Sequence, residues 1–297
     1  MRSIRKTKGK PNILLFRLLA LLLVLSFGVS AAAAAPGEKA APDATPKVVF
    51  IGDSRVVLMA GGFYNSSGAR PMGRGKVENN AETFAPHELR RSNDDYNCYY
   101  TYLPEMYEDI SGGQVQMLYS VAEVSAMTTD VISGGKANQY AATVLSAAEE
   151  LAESEGEIIR VVLSMGVNDL IIYNGSSVTG VSESEARSSA EAWVSEIGQW
   201  AESYPNLQFY VCSLYGTGGM FSKVNTAIDA FNDELKTQTD SLDSDHILFV
   251  DAAPKVPSSS ISDGLHANGR GTAKYWSFIY KIIRLPVPRS EAKQVKK

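Results

Sequence analysis

Five short runs of mostly consecutive apolar residues constrain the fold more than anything else in the chain: Lys47–Ile51, Gln114–Val121, Ile158–Ser164, Leu207–Ser213 and His246–Asp251. A half-exposed strand alternates apolar and polar residues, whereas a strand covered on both faces is apolar throughout. The runs are separated by longer amphipathic stretches. Ala137–Ser154 is rich in alanine. Ser184–Ser203 opens on Ser184-Glu185 and stops before Pro205. Phe221–Thr237 carries Val224, Ile228, Phe231 and Leu235 at helical spacing, and Thr272–Ile283 comes last. Strand alternating with helix implies a parallel sheet between two helical layers. The expected fold is therefore α/β, a three-layer α/β/α sandwich with a five-stranded parallel sheet in the flavodoxin-like order 2-1-3-4-5.

The first 35 residues stand apart from this pattern. Arg2, Arg5, Lys6, Lys8 and Lys10 precede an apolar run from Ile13 to Val29, interrupted by Arg17. Ala31–Ala35 and Pro36 follow. A basic head, an apolar segment and a small-residue stretch read as a secretory signal peptide, with an uncleaved N-terminal anchor as the alternative. The uninterrupted part, Leu18–Phe27, is short for a span. The expected address is secreted or extracytoplasmic, with membrane contact only through that segment if it is retained.

Residues 36–46 (PGEKAAPDATP) make a flexible lead-in, 47–285 one domain, and 286–297 a polar tail. About 260 residues after the leader suffice for one large core. The stretch 61–113 is too long for a simple crossover and reads as an insertion at the C-terminal end of the first strand. Its tyrosines, Tyr96 to Tyr107, are a candidate wall for a substrate cleft.

Removing the first 35 residues, which hold six basic and no acidic side chains, takes the formal charge from −5 to −11. Such an acidic domain argues against nucleic acid as a partner, because phosphate neutralisation dominates that affinity. The histidines, His87, His246 and His266, are scattered and the cysteines, Cys98 and Cys212, are two. This gives no metal-ligand spacing, and no cofactor motif stands out. Cys212 lies in an apolar strand run and is expected to be a buried free thiol.

Chemistry-bearing residues gather where strands end. Phe50-Ile51-Gly52-Asp53-Ser54-Arg55 carries an apolar strand into a helix-like run, which puts Ser54 at the sheet edge where ligands bind in open α/β folds. A serine there is either a helix N-cap or a nucleophile beside backbone N–H groups. Arg55 is a salt-bridge partner or an anion contact. Leu163-Ser164-Met165-Gly166-Val167-Asn168-Asp169 ends the third strand, and Asn168 is a turn residue or an amide donor. Ser262-Asp263-Gly264-Leu265-His266 precedes the last helix. Asp263 and His266, three apart, either cap it or pair so that the carboxylate fixes the imidazole tautomer. Asp251, at the end of the fifth strand, is a competing acid.

Taken together and in order, Gly-Asp-Ser, Gly-Val-Asn-Asp and Asp-Gly-Leu-His resemble the SGNH hydrolases, also called GDSL esterases, from about Val48 to the last helix. The resemblance implies that Ser54 is the nucleophile, His266 its base and Asp263 the orienting acid. It implies an oxyanion hole of the Ser54 N–H, the Asn168 amide and a backbone N–H in the loop after the second strand. The family places glycine in that loop, but here it reads Val121-Ala122-Glu123-Val124-Ser125-Ala126-Met127-Thr128, and Ser125 is the expected donor. Any residue but proline supplies the N–H, while glycine supplies a positive φ and room.

The implied activity is hydrolysis of a carboxylic ester, an acetyl group on a carbohydrate or a related small-molecule ester, with no cofactor. A lipid esterase or an acyltransferase would use the same triad, and a catalytically silent binding protein would keep the fold alone.

Overall fold

The computed structural model describes residues 45–56, 63–64, 71–72, 115–122, 125–135, 137–261 and 263–285. All of these lie within one compact unit, residues 42–297. The leader, the tyrosines from Tyr96 to Tyr107, Cys98 and the polar tail fall outside the described residues. Of the insertion, a short antiparallel pair, Phe63–Tyr64 with Pro71–Met72, is described.

Five strands form one parallel sheet: β1 (Lys47–Gly52), β2 (Gln116–Ala122), β3 (Ile159–Ser164), β4 (Leu207–Cys212) and β5 (Ile247–Val250). Their order is β2-β1-β3-β4-β5, the 2-1-3-4-5 arrangement expected from the sequence. Gly52 pairs with Ala122 on one side and Ser164 on the other, and Cys212 pairs with Val250. The strands thus end together, and the turns after β1, β2 and β3 emerge at one edge.

The continuous apolar runs have a direct physical cause. Successive strand side chains point to opposite faces. Val49, Ile51, Val161, Leu163, Phe209 and Val211 enter one buried cluster, while Val48, Phe50, Val162, Tyr210 and Cys212 enter a second across the sheet. The first cluster is closed by helices α1 (Asn138–Glu155), α2 (Glu183–Ser203) and α3 (Asn225–Ser241), through residues such as Leu145, Trp193 and Phe231. The second is closed by α4 (Gly269–Ile283), through Tyr275, Trp276, Ile279 and Ile283. Phe50 meets Trp276 edge-on at 5.7 Å. Fully burying side chains of this size is worth roughly 1.5–3 kcal/mol each, so a polar residue anywhere from Val48 to Ile51 would be costly on either face.

Helix ends follow local chemistry. Ser182 and Glu185 form a capping box at the start of α2. Gly156 ends α1 in the left-handed region at φ 67°. Asn268 accepts the Gly271 N–H at the start of α4.

One helix begins later than its apolar spacing predicts. Residues Gly219–Val224 form a 3-10 turn, and the α-helix starts at Asn225. The Asn225 side chain folds back onto Thr217, accepting its N–H at 2.7 Å and donating to its carbonyl at 3.0 Å, which fixes the tighter turn before the helix. A hairpin absent from the sequence reading, Ile171–Asn174 with Ser177–Gly180, follows the Gly-Val-Asn-Asp turn.

Candidate active site

Three turns at the C-terminal edge of the sheet meet in one place. The turn after β1 is built around Asp53. Its Oδ1 accepts the Arg55 N–H at 2.9 Å, and its carbonyl accepts the Val56 N–H at 3.0 Å. Gly52 is needed for closeness. A Cβ there would come within 2.2 Å of the Val56 side chain and 2.5 Å of the Ser164 carbonyl oxygen. Ser54 is thereby held at the start of a helical turn, 3% exposed.

Arg55, a salt-bridge partner or an anion contact on the sequence alone, is buried against Tyr215. It is 2% exposed, its guanidinium lies 4.1 Å from the Tyr215 ring centroid, and Nη2 donates to the Tyr215 carbonyl at 3.1 Å. Stacking on an aromatic face suits a weakly hydrated guanidinium taken out of water. Burial raises the Asp53 carboxyl above its ordinary range, against the pull of the nearby Arg55 charge.

The loop before α4 brings the acid and the base. An antiparallel bridge between Ile261 and Ala267 closes it. Asp263 Oδ1 accepts the N–H groups of Leu265 at 2.9 Å and His266 at 2.7 Å, and Oδ2 takes the imidazole Nδ1 at 2.7 Å. Asp263 does not cap the last helix, whose cap is Asn268; one of its oxygens holds the turn through Leu265 and His266 and the other meets the imidazole. Burial works to raise Asp263. The hydrogen bonds from His266, side chain and backbone, outweigh that and hold the carboxyl well below the usual range. An ionised Asp263 only accepts, so Nδ1 carries the imidazole proton and Nε2 presents a lone pair. That Nε2 lies 2.9 Å from Ser54 Oγ. The His266 side chain is 17% exposed, open enough to be reached from outside.

The turn after β3 braces the loop that follows β2. Asn168 Nδ2 donates to the Ala126 carbonyl at 2.9 Å. Asp169 accepts from Thr128 twice, N–H to Oδ2 at 2.9 Å and Oγ1 to Oδ1 at 2.7 Å. Burial pushes Asp169 up to about 6, against the Thr128 hydrogen bonds and with added repulsion from Asp53. In the braced loop, Ser125 sits at φ 68°, the left-handed conformation that glycine adopts without cost. Ser125 thus takes up the backbone shape that the missing glycine would have supplied. Asp169 was not singled out by the sequence reading, although its place beside Asn168 in Gly-Val-Asn-Asp was visible.

Two other candidates sit apart from this line. Asp251 accepts from Ser213 Oγ at 3.2 Å. His246 Nδ1 lies 3.3 Å from the Leu207 carbonyl at the far end of β4. Cys212 is a free, buried thiol pushed well up by burial, which keeps it protonated and inert. Among the described residues no cluster of histidine, cysteine or acidic side chains could hold a metal ion.

No protein-family model matches the chain, and no curated protein matches it. Solved structures are similar to it at low identity. A carbohydrate acetylesterase from Sinorhizobium meliloti is 14% identical, covering 80% of this chain and 98% of that one at a TM-score of 0.45. A protein described as a GDSL-like lipase from Parabacteroides merdae is 14% identical, covering 80% and 95% at 0.44. An acetyl xylan esterase from Geobacillus stearothermophilus is 15% identical, covering 82% and 97% at 0.41. At these scores the likeness carries no functional weight.

Proposed function

We propose that the chain is an SGNH-type serine ester hydrolase that acts outside the cytoplasm and removes acyl groups, acetyl above all, from a carbohydrate. One observation carries the chemistry: the continuous line from Asp263 Oδ2 to His266 Nδ1 at 2.7 Å and from His266 Nε2 to Ser54 Oγ at 2.9 Å. The basic-then-apolar leader supports the address, and the resemblance of the three motifs supports the substrate class.

In this reading Nε2 takes the Ser54 proton as Oγ attacks the ester carbonyl carbon. The carbonyl electrons move onto oxygen. The receiving donors are the Ser54 N–H at the start of its helical turn, the Ser125 N–H and the Asn168 amide. The Asn168 amide has two hydrogens. The bond to Ala126 orients one and thereby fixes where the other points. The imidazolium, stabilised by Asp263, gives its proton to the leaving alkoxide. Water then attacks the acyl-enzyme with His266 again as base, which frees the acid and restores Ser54. No step calls for a metal or cofactor.

The reading is tested by assaying the purified protein on short acyl esters beside O-acetylated polysaccharides, with Ser54→Ala as control. Acid release by the native chain and none by the variant is the expected result. Acid release by both would refute it.

A further inference from the structure

An aromatic pair, one ring exposed and the other half-buried, stands beside the loop that carries Asp263 and His266. Tyr173, on the hairpin after the Gly-Val-Asn-Asp turn, is 65% exposed. Its ring meets Phe221 edge-to-face, 6.4 Å between centroids at 86°. Phe221 in turn packs over Gly264, the residue after Asp263. A Cβ at Gly264 would come within 3.1 Å of the Phe221 ring and 2.8 Å of the Gly218 carbonyl oxygen, and its φ of 90° is one that glycine adopts freely. The Gly218 N–H closes the contact by donating to the Gly264 carbonyl at 2.7 Å.

This arrangement is rigid for a surface feature. The Phe221 N–H donates to the Gly218 carbonyl at 3.0 Å, and the Phe221 carbonyl accepts from Thr217 Oγ1 at 2.7 Å. Tyr173 stands opposite buried Val178 in the hairpin, so its strand face is set by the core. A large apolar ring held in water has an unfavourable exposure that folding alone does not require. With half-buried Phe221 against it, Tyr173 is part of a contiguous aromatic surface, and such surfaces mark binding sites.

We propose that Tyr173 and Phe221 form the platform on which the sugar ring bearing the scissile ester rests. The platform deepens the hydrolase reading and rests on it for the identity of the reacting atoms. Tyrosine offers a flat apolar face with a hydroxyl at its rim, which matches the C–H face and edge hydroxyls of a pyranose. Edge-to-face packing, unlike stacking, does not hide both rings from solvent. Position supplies the rest of the argument. Phe221 packs on Gly264, the immediate neighbour of Asp263, so a ring seated here lies beside the loop that carries the acid and the base.

The test uses the Ser54→Ala protein, so that binding is read without turnover. Calorimetry with an O-acetylated xylo-oligosaccharide is expected to show affinity falling about tenfold when Tyr173→Ala is added, as for loss of one good pocket contact. Ile172→Ala, on the opposite face of the same hairpin strand, is expected to leave it unchanged. In the protein with Ser54 intact, Tyr173→Ala is expected to raise KM with little change in kcat. Unchanged oligosaccharide affinity in Tyr173→Ala, at an unchanged melting temperature, would overturn the platform. So would a weakening confined to a decanoyl ester, which would assign the rings to an acyl chain. Binding that depends on Tyr173 in a chain that hydrolyses no ester would sink the hydrolase reading and leave the platform standing.

Discussion

Asp169 grips Thr128 with both carboxylate oxygens, one on the backbone N–H and one on the hydroxyl. The grip joins the turn after β3 to the loop after β2, and Asn168 makes a second tie to the same loop through the Ala126 carbonyl. Two consecutive residues of Gly-Val-Asn-Asp thus set the shape of the segment that contains Ser125.

The first prediction concerns this grip and pH. Folding raises the Asp169 pKa from 3.8 to about 6. Between those values the folded chain keeps a proton that the unfolded chain has released. Its contribution to stability is therefore unaffected below 3.8 and falls as pH rises through about 6, by at most about 3 kcal/mol. Asparagine resembles the protonated acid: its carbonyl can accept the Thr128 N–H while its amide donates to the hydroxyl. Asp169→Asn should match the native melting temperature at about pH 4 and exceed it increasingly up to about pH 7. A difference that does not vary with pH would show that Asp169 ionises freely in the folded chain. Asp169→Ala should instead destabilise by about 1–3 kcal/mol, because it leaves buried Thr128 donors without a partner.

The second prediction separates the backbone of Ser125 from its hydroxyl. A non-glycine residue in the left-handed region costs roughly 1–2 kcal/mol, and glycine relieves that at a similar entropic cost. Ser125→Gly should therefore keep the esterase rate and shift stability by no more than about 1 kcal/mol. Ser125→Val should lower both, since a branched Cβ is strained at φ 68°. A large loss of rate in Ser125→Gly would mean that the hydroxyl, not the N–H, meets the substrate.

Much of this was readable in advance, for identifiable reasons. Unbroken apolar runs announce strands buried on both faces, and Val48 to Ile51 divide between the two cores residue by residue. The parallel sheet followed from strand–helix alternation, and its order is the flavodoxin-like one expected with it. The three residues singled out by short motifs, Ser54 at the end of a strand and Asp263 and His266 in the loop before the last helix, lie together in the structure, at 2.7 and 2.9 Å.

The hairpin at Ile171–Gly180 was missed, although Tyr173-Asn174-Gly175-Ser176-Ser177-Val178 holds a recognisable two-residue Gly-Ser turn. The late start of α3 was not legible, because Val224 and Phe221 keep helical spacing while the Asn225–Thr217 bonds decide where the helix begins. The fate of Arg55 depends on Tyr215, 160 residues away, and no local pattern encodes that.

The third prediction treats Asp263 and His266 as one device. His266→Ala and the double variant with Asp263→Ala should lose the same activity within a few-fold, because effects within a triad do not add. Losses that multiply would show that Asp263 serves only the N–H groups of Leu265 and His266 and not the imidazole.

The central claim is that Ser54 Oγ becomes covalently acylated. The most direct measurement is the mass of the intact protein after treatment with a serine-directed alkyl phosphonate fluoride, followed by mapping of the modified peptide. The account predicts one adduct, on Ser54, absent from Ser54→Ala and strongly slowed in His266→Ala. An adduct on another residue that persists undiminished in Ser54→Ala would contradict it.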